Sequence, residues 1–335
     1  MPPTFWLGLL LTAVAGLFSG ICMLPMKFAK RWPWENTWLA FTVVSLLILP
    51  WTLAFAMVRD LPAVYAALPA SVFIAPLLFG FGWGIAQVLF GLSIARLGVA
   101  LGYAIVVGLG AMLGTLVPLF VQNRDIFATG RGTLILSGVG IMLLGIAVSA
   151  RAGQVREGST ERIEGKAGYG VALMVAVLCG LMAPMLNFAF AFGQGIAEEA
   201  VRQGASPSLA GYAVWPIALL GGLIPNTIYA VWLLCRNRTW RHFSSTWSPD
   251  VWFGSLMGVL WMGAFAIYGI SSVYLGALGT SAGWGLFQIF MIITANLSGV
   301  LSGEWKGALP AAKRGLWTGL ALLGAATAMI ALGNR

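Results

Sequence analysis

Ten long apolar runs decide what this chain can become. They are Thr4–Met26, Thr37–Met57, Ser71–Ile94, Val99–Val121, Thr133–Ala150, Tyr169–Phe192, Leu209–Leu234, Val251–Val273, Thr280–Leu301 and Leu316–Leu332. As helices rising about 1.5 Å per residue, each can cross a hydrocarbon core roughly 30 Å thick. Backbone left unpaired in lipid is prohibitively costly, so a spanning segment is a helix or part of a closed barrel, and these runs are too long and continuous for barrel strands. Only 9% of the 335 residues are charged, against 59% hydrophobic, which excludes a soluble domain. The chain therefore reads as an all-α integral membrane protein of ten transmembrane helices. The first run has no basic segment ahead of it and is a full span long, so it reads as a helix of the protein rather than a cleaved signal.

The net charge of +9 would suggest nucleic acid in a soluble protein, but here the cations sit between spans. The loops after spans one, three, five, seven and nine hold Lys27, Lys30, Arg31, Arg96, Arg151, Arg156, Arg162, Lys166, Arg236, Arg238, Arg241, Lys306, Lys313 and Arg314, which is 14 of the 19 basic residues. The other side holds Arg59, Arg124, Arg131, Arg202 and Arg335. The positive-inside rule puts the basic loops in the cytoplasm and both termini outside it, with no role for nucleic acid. Cys22, Cys179 and Cys235 have no metal-like spacing and read as small packing residues.

The chain also repeats itself. Gly80, Trp83, Ala86, Gly91, Ser93, Leu97 and Gly98 recur 178 residues on as Gly258, Trp261, Ala264, Gly269, Ser271, Leu275 and Gly276. Gly20, Phe28 and Ala29 match Gly180, Phe188 and Ala189, and Pro50 and Thr52 match Pro225 and Thr227. Arg131-Gly132 matches Arg314-Gly315. An ungapped recurrence of this kind reads as an internal duplication. The offset grows between the first and second spans, which locates an insertion in the second copy around Glu198–Pro207. Five spans per copy is odd, so the second copy runs in the opposite direction. The expected organisation is a first repeat over 1–150, a cytoplasmic linker over 151–167 and an inverted second repeat over 168–335. Inverted repeats with a site where they meet are the architecture of secondary transporters.

Polar amides inside apolar spans each need a partner away from lipid. Gln87 lies one helical turn from Trp83, and Gln288 repeats that spacing with Trp284. Asn187 and Gln194 share a face of span six. Aromatic faces against C–H surface, with amides that both donate and accept, suit a sugar. Trp83, Gln87, Asn187, Gln194, Trp261, Tyr268, Trp284 and Gln288 are the expected substrate-binding residues. Asn226 and Asn296 are read instead as interhelical hydrogen-bonding groups, and most span glycines as sites of close helix packing. All ten acidic residues lie at loops or span ends, and His242 sits in a basic loop. With no nucleophile–base pair, metal cluster or phosphate loop, no enzyme and no cofactor is expected.

Several stretches carry a family likeness: Lys30-Arg-Trp-Pro-Trp-Glu35, Ile48-Leu-Pro-Trp51, Trp83-Gly-Ile with Phe90-Gly-Leu92, Arg151-Ala-Gly-Gln154, Gly221-Gly222 with Asn226, and Glu304-Trp305. In this order, over nearly the whole chain, they resemble bacterial L-rhamnose–proton symporters of the drug/metabolite transporter superfamily. The resemblance implies ten helices in an inverted five-plus-five repeat and uptake of rhamnose or a related deoxysugar, with a proton, across the inner membrane. Its span nine departs from the family in having no ionisable residue over Ser281–Phe287. Proton symport then implies a carboxylate at a cavity mouth, with Glu35, Glu199 and Glu304 as candidates. The competing expectation for at least two of them is pairing with Lys30, Arg202 or Lys306. The alternatives in function are a drug or metabolite exporter of the same superfamily, or a non-transporting membrane scaffold or receptor.

Overall fold

The computed structural model describes residues 3–97, 99–157, 166–244 and 249–334. Every regular element among them is helical. Ten helices are long and apolar enough to cross a membrane: α1 Thr4–Phe28, α2 Trp34–Met57, α3 Ser71–Ser93, α4 Leu101–Gln122, α5 Gly130–Arg156, α6 Tyr169–Arg202, α7 Ala210–Asn237, α8 Asp250–Tyr274, α9 Ala282–Leu301 and α10 Pro310–Gly333. These are the ten expected spans, and the differences lie at their ends. Helix α5 continues to Glu157, through the first part of the expected linker, while residues 158–165 of that linker lie outside the described set.

Proline and glycine shape the individual helices. Pro50 removes one backbone donor and crowds the carbonyl four residues back. The chain answers with a wider π-helical turn, Val43–Ile48, just ahead of it. Helix α6 is broken at Ala183-Pro184 and again at Gly193, and its last segment is Gln194–Arg202. That segment and the turn closed by Gly204, whose φ is +96°, fill the stretch where the sequence locates an insertion.

The helices sort into two compact units, and both draw on each half of the chain. One comprises Met1–Gly20, Leu89–Pro184 and Ser271–Arg335, and the other Ile21–Val88 and Met185–Ile270. The boundaries cut α1, α3, α6 and α8, the first and third helices of each half.

In the second unit, glycine lets backbones meet. A Cβ at Gly80 would run into the carbonyl oxygen of Ala218, and one at Gly221 into that of Leu77, so α3 and α7 cross in direct contact. Gly258 on α8 bears on α2 in the same way, where a Cβ would lie 2.9 Å from Val44 Cγ1. Tyr65, on the short helix Leu61–Ala66, donates from its hydroxyl to the Ala213 carbonyl at 2.7 Å, and burial raises its pKa above the usual tyrosine value.

The first unit has a core of Val107, Ala111, Val139, Met142, Leu286, Ile289, Leu323 and Ile330 drawn from α4, α5, α9 and α10. Helices α5 and α10 pack through Gly138, Gly145, Gly319 and Gly333. At one end of α5, Arg131 Nε donates to the Gly333 carbonyl at 3.2 Å. At the other end, Arg156 Nη1 meets Glu304 Oε2 at 3.2 Å.

Candidate functional site

The clearest constellation lies in the second unit. Glycines at 80 and 84 set α3 against α7, and Gly222 on α7 leaves room for the Trp83 ring: a Cβ there would lie 2.8 Å from it. Trp83 then stacks on Trp261 of α8, with ring centroids 5.3 Å apart and planes 26° from parallel. Trp261 is flanked by Phe265 at 4.4 Å and by Phe41 at 6.1 Å. Both tryptophans keep a thin accessible edge, 6% of each residue. One turn along α3, Gln87 is half-buried and makes no side-chain hydrogen bond among the described residues. An aromatic stack with an uncommitted amide beside it offers an apolar face together with a donor–acceptor pair.

The other candidates of this unit are committed to protein partners. Tyr268 is fully buried and its hydroxyl donates to Asn187 Oδ1 at 2.8 Å. Phe190 lies 6.0 Å from the Tyr268 ring and stacks on Trp215 at 4.5 Å. Together they form a polar pair inside an aromatic core. Gln194 turns back to donate to the Phe190 carbonyl at 2.9 Å. Asn226 bridges helices as expected: its Oδ1 accepts from Trp38 Nε1 of α2 at 3.3 Å, and its Nδ2 donates to the Gly222 carbonyl at 3.0 Å. Asn296 differs, donating at 2.9 Å to Ile292 on its own helix.

In the first unit, Trp284 of α9 is held against α4. Its Nε1 donates to the Gly110 carbonyl at 3.2 Å, and a Cβ on Gly114 would collide with the indole. The ring is thus spent on packing. Gln288, one turn on, is 8% exposed and has no side-chain hydrogen bond among the described residues. Among the candidates of the first unit it is the uncommitted amide, as Gln87 is among those of the second.

The three candidate carboxylates are held in unlike ways. Glu199 accepts from Arg202 Nε at 2.8 Å and from Gln203 Nε2 at 2.8 Å. Glu304 pairs with Arg156. Glu35 is 5% exposed and has no basic partner within salt-bridge distance among the described residues. Its Oε1 accepts from Asn237 Nδ2 at 3.0 Å and from Thr239 Oγ1 at 2.9 Å. Both donors are neutral. Burial disfavours the charged form of this carboxylate and the two hydrogen bonds favour it.

Sequence reasoning missed Asp250. It is also buried, and its Oδ2 accepts from the backbone N–H groups of Arg31 and Trp32, each at 2.6 Å, pinning the loop after α1 to the start of α8. Its place at a span end hid it, because hydropathy does not say which loops are covered. Among the described residues no cluster of histidine, cysteine or carboxylates could hold a metal.

Comparison with known proteins adds two findings. A family model described as L-rhamnose-proton symport protein matches residues 1–334. An L-rhamnose-proton symporter of Mannheimia succiniciproducens is 27% identical over 328 residues, covering 95% of each chain. Those of Salmonella paratyphi B and Salmonella typhimurium are 28% identical over 302 residues, covering 88% of each chain.

Proposed function

The chain belongs to the L-rhamnose-proton symport protein family, and from that premise we propose that it imports L-rhamnose, or a closely related deoxysugar or other monosaccharide, together with a proton. The match from end to end carries this reading. It makes the protein a secondary active transporter working by alternating access, and not an enzyme. The drug/metabolite superfamily, an inner-membrane location and periplasmic termini are part of the same proposal.

The geometry supports the sugar half at Trp83, Gln87 and Trp261 of the second unit, and in the first unit Gln288 is the proposed amide. Asn187, Gln194 and Tyr268 serve the second unit by fixing α6 and α8, and Trp284 serves the first by holding α9 to α4. For the proton half, Glu35 is the carrier we favour over Glu199 and Glu304, because arginines already hold the latter two. The inverted repeat has structural support too. Trp83 and Trp261 are counterparts in the two copies and stack on each other, as a pseudo-twofold axis between them would require. Gly80 meets α7 where its counterpart Gly258 meets α2.

Counterflow in proteoliposomes tests the proposal. Vesicles loaded with unlabelled L-rhamnose should accumulate labelled L-rhamnose transiently, and related deoxysugars should compete. Failure with every monosaccharide would sink the sugar reading and leave an exporter of other metabolites or a non-transporting receptor.

A further inference from the structure

The first unit contains a cavity of about 190 Å³ that the sugar site does not use. At about 30 Å³ per water it has room for about six waters, the size class of one monosaccharide. It lies at the end of α5 remote from Arg131, and its polar lining comes from Arg156, Asn296 and Glu304, with Ser149, Gly153 and Trp305 beside them. The Arg156 guanidinium sits 4.9 Å over the Trp305 ring while pairing with Glu304. Glu304 Oε1 also accepts from Ser302 Oγ at 3.4 Å. The Ser149 hydroxyl has no hydrogen-bond partner among the described residues, but it is closed off from the cavity against Gly319 of α10. Asn296 uses its amide N–H on Ile292 and has no partner for Oδ1 among those residues.

The charges choose the ligand. One guanidinium and one carboxylate sum to zero, so an anion that approached Arg156 would also meet Glu304. An apolar ligand would cover the apolar part of the lining, Tyr103, Ile146 and Ile292 among it, but would strip water from Arg156, Asn296 and Glu304 without replacing its hydrogen bonds. A neutral polyhydroxylated molecule answers each of them, because a hydroxyl both donates to carboxylate or amide oxygen and accepts from guanidinium.

We infer that this cavity is a second carbohydrate site, at the end of the first unit that carries the basic loops, binding one neutral monosaccharide through Arg156, Asn296 and Glu304. That the sugar is L-rhamnose rests on the transport reading above. The site itself rests on the lining.

Gly153 gives a clean test. A Cβ there meets nothing within 4 Å, so Gly153→Leu can extend into the cavity without disturbing the helix that carries it. Equilibrium dialysis of the full chain in nanodiscs against labelled L-rhamnose should give two bound equivalents. Gly153→Leu should remove one and Gln87→Ala the other. Saturating L-rhamnose should also slow hydrogen exchange in peptides covering 146–156 and 292–305 of the parent, but not of Gly153→Leu. One equivalent removed by Gly153→Leu and untouched by Gln87→Ala keeps the cavity site and sinks the Trp83 site. One equivalent untouched by Gly153→Leu overturns the cavity site. If L-rhamnose binds nowhere, the transport reading fails, and dialysis with L-fucose, D-mannose and xylitol decides: binding that Gly153→Leu removes supports the site, and none overturns it. Release of co-purified phospholipid by Gly153→Leu, with sugar binding unchanged, would assign the cavity to a lipid headgroup and also overturn the proposal.

Discussion

Gln87 and Asn187 are both amides inside apolar helices, and their surroundings give them different work. Gln87 has no side-chain hydrogen bond among the described residues, so Gln87→Ala strands nothing in the empty protein. It should leave the melting temperature unchanged while weakening L-rhamnose binding by about 1–3 kcal/mol, the cost of an unmet hydroxyl, as read by titration calorimetry. Asn187→Ala leaves the fully buried Tyr268 hydroxyl without this acceptor. It should cost about 1–3 kcal/mol of stability and show as a lowered melting temperature. Equal effects of the two substitutions on both measurements would remove the distinction. Glu35→Gln keeps a carbonyl oxygen for Asn237 and Thr239 but cannot exchange a proton. Rhamnose-driven alkalinisation in proteoliposomes should vanish while counterflow persists, and an undiminished proton signal would return the role to another group. Little of this was legible beforehand. The amides could be named because any polar group in an apolar run is conspicuous, but Glu35 meets partners 202 and 204 positions away. Nothing local in sequence separates it from Glu199, whose arginine lies three residues on.

At the scale of helices, the sequence was most informative along the chain and least informative across it. Ten spans follow from hydropathy because lipid imposes one rule on every residue of a run. Their ends do not, since a helix continues into water wherever its residues tolerate it, as Arg151–Glu157 does beyond the apolar part of α5. The glycines divide in the same way. Composition suggests close packing for most of those on α3 and α4 without saying which, and a Cβ at Gly80 would strike Ala218 while one at Gly91 meets nothing within 4 Å. Gly80→Ala should therefore push α3 from α7 at a cost of about 1–3 kcal/mol from overpacking, lowering the melting temperature in detergent. Gly91→Ala should be neutral, or stabilising by up to about 1 kcal/mol through helix propensity. A Gly80→Ala protein as stable as its parent would show that α3 and α7 do not need this approach. The same contact bears on transport, because helices that meet backbone to backbone can shift against each other without reordering long side chains.

For the whole molecule, orientation decides the direction of every step. Ten spans are an even number, so both termini lie on one side, and the contacts of the first unit agree with that parity. Arg131, ahead of the fifth span, bonds the Gly333 carbonyl next to the C-terminus, and Asn123 Nδ2, after the fourth, donates to Ala277 after the eighth at 3.3 Å. Those groups share one end. Arg156 and Glu304, after the fifth and ninth spans, meet at the other. Which end faces the cytoplasm is a matter of charge. The end with Arg156 belongs to the side holding 14 of the 19 basic residues, and an anionic inner leaflet attracts each nearby cation by about 1 kcal/mol. Alkaline phosphatase, which needs the oxidising periplasm to fold, should be active when fused after Arg335, while a green fluorescent protein at the same place, exported unfolded, should stay dark. Fusions after Arg238 should give the opposite pair of results. Fluorescence at Arg335 with activity at Arg238 would invert the protein and place the carboxylate Glu35, on the basic side, at the outer mouth. Proton entry would then precede sugar binding from the periplasm, instead of proton release following it into the cytoplasm.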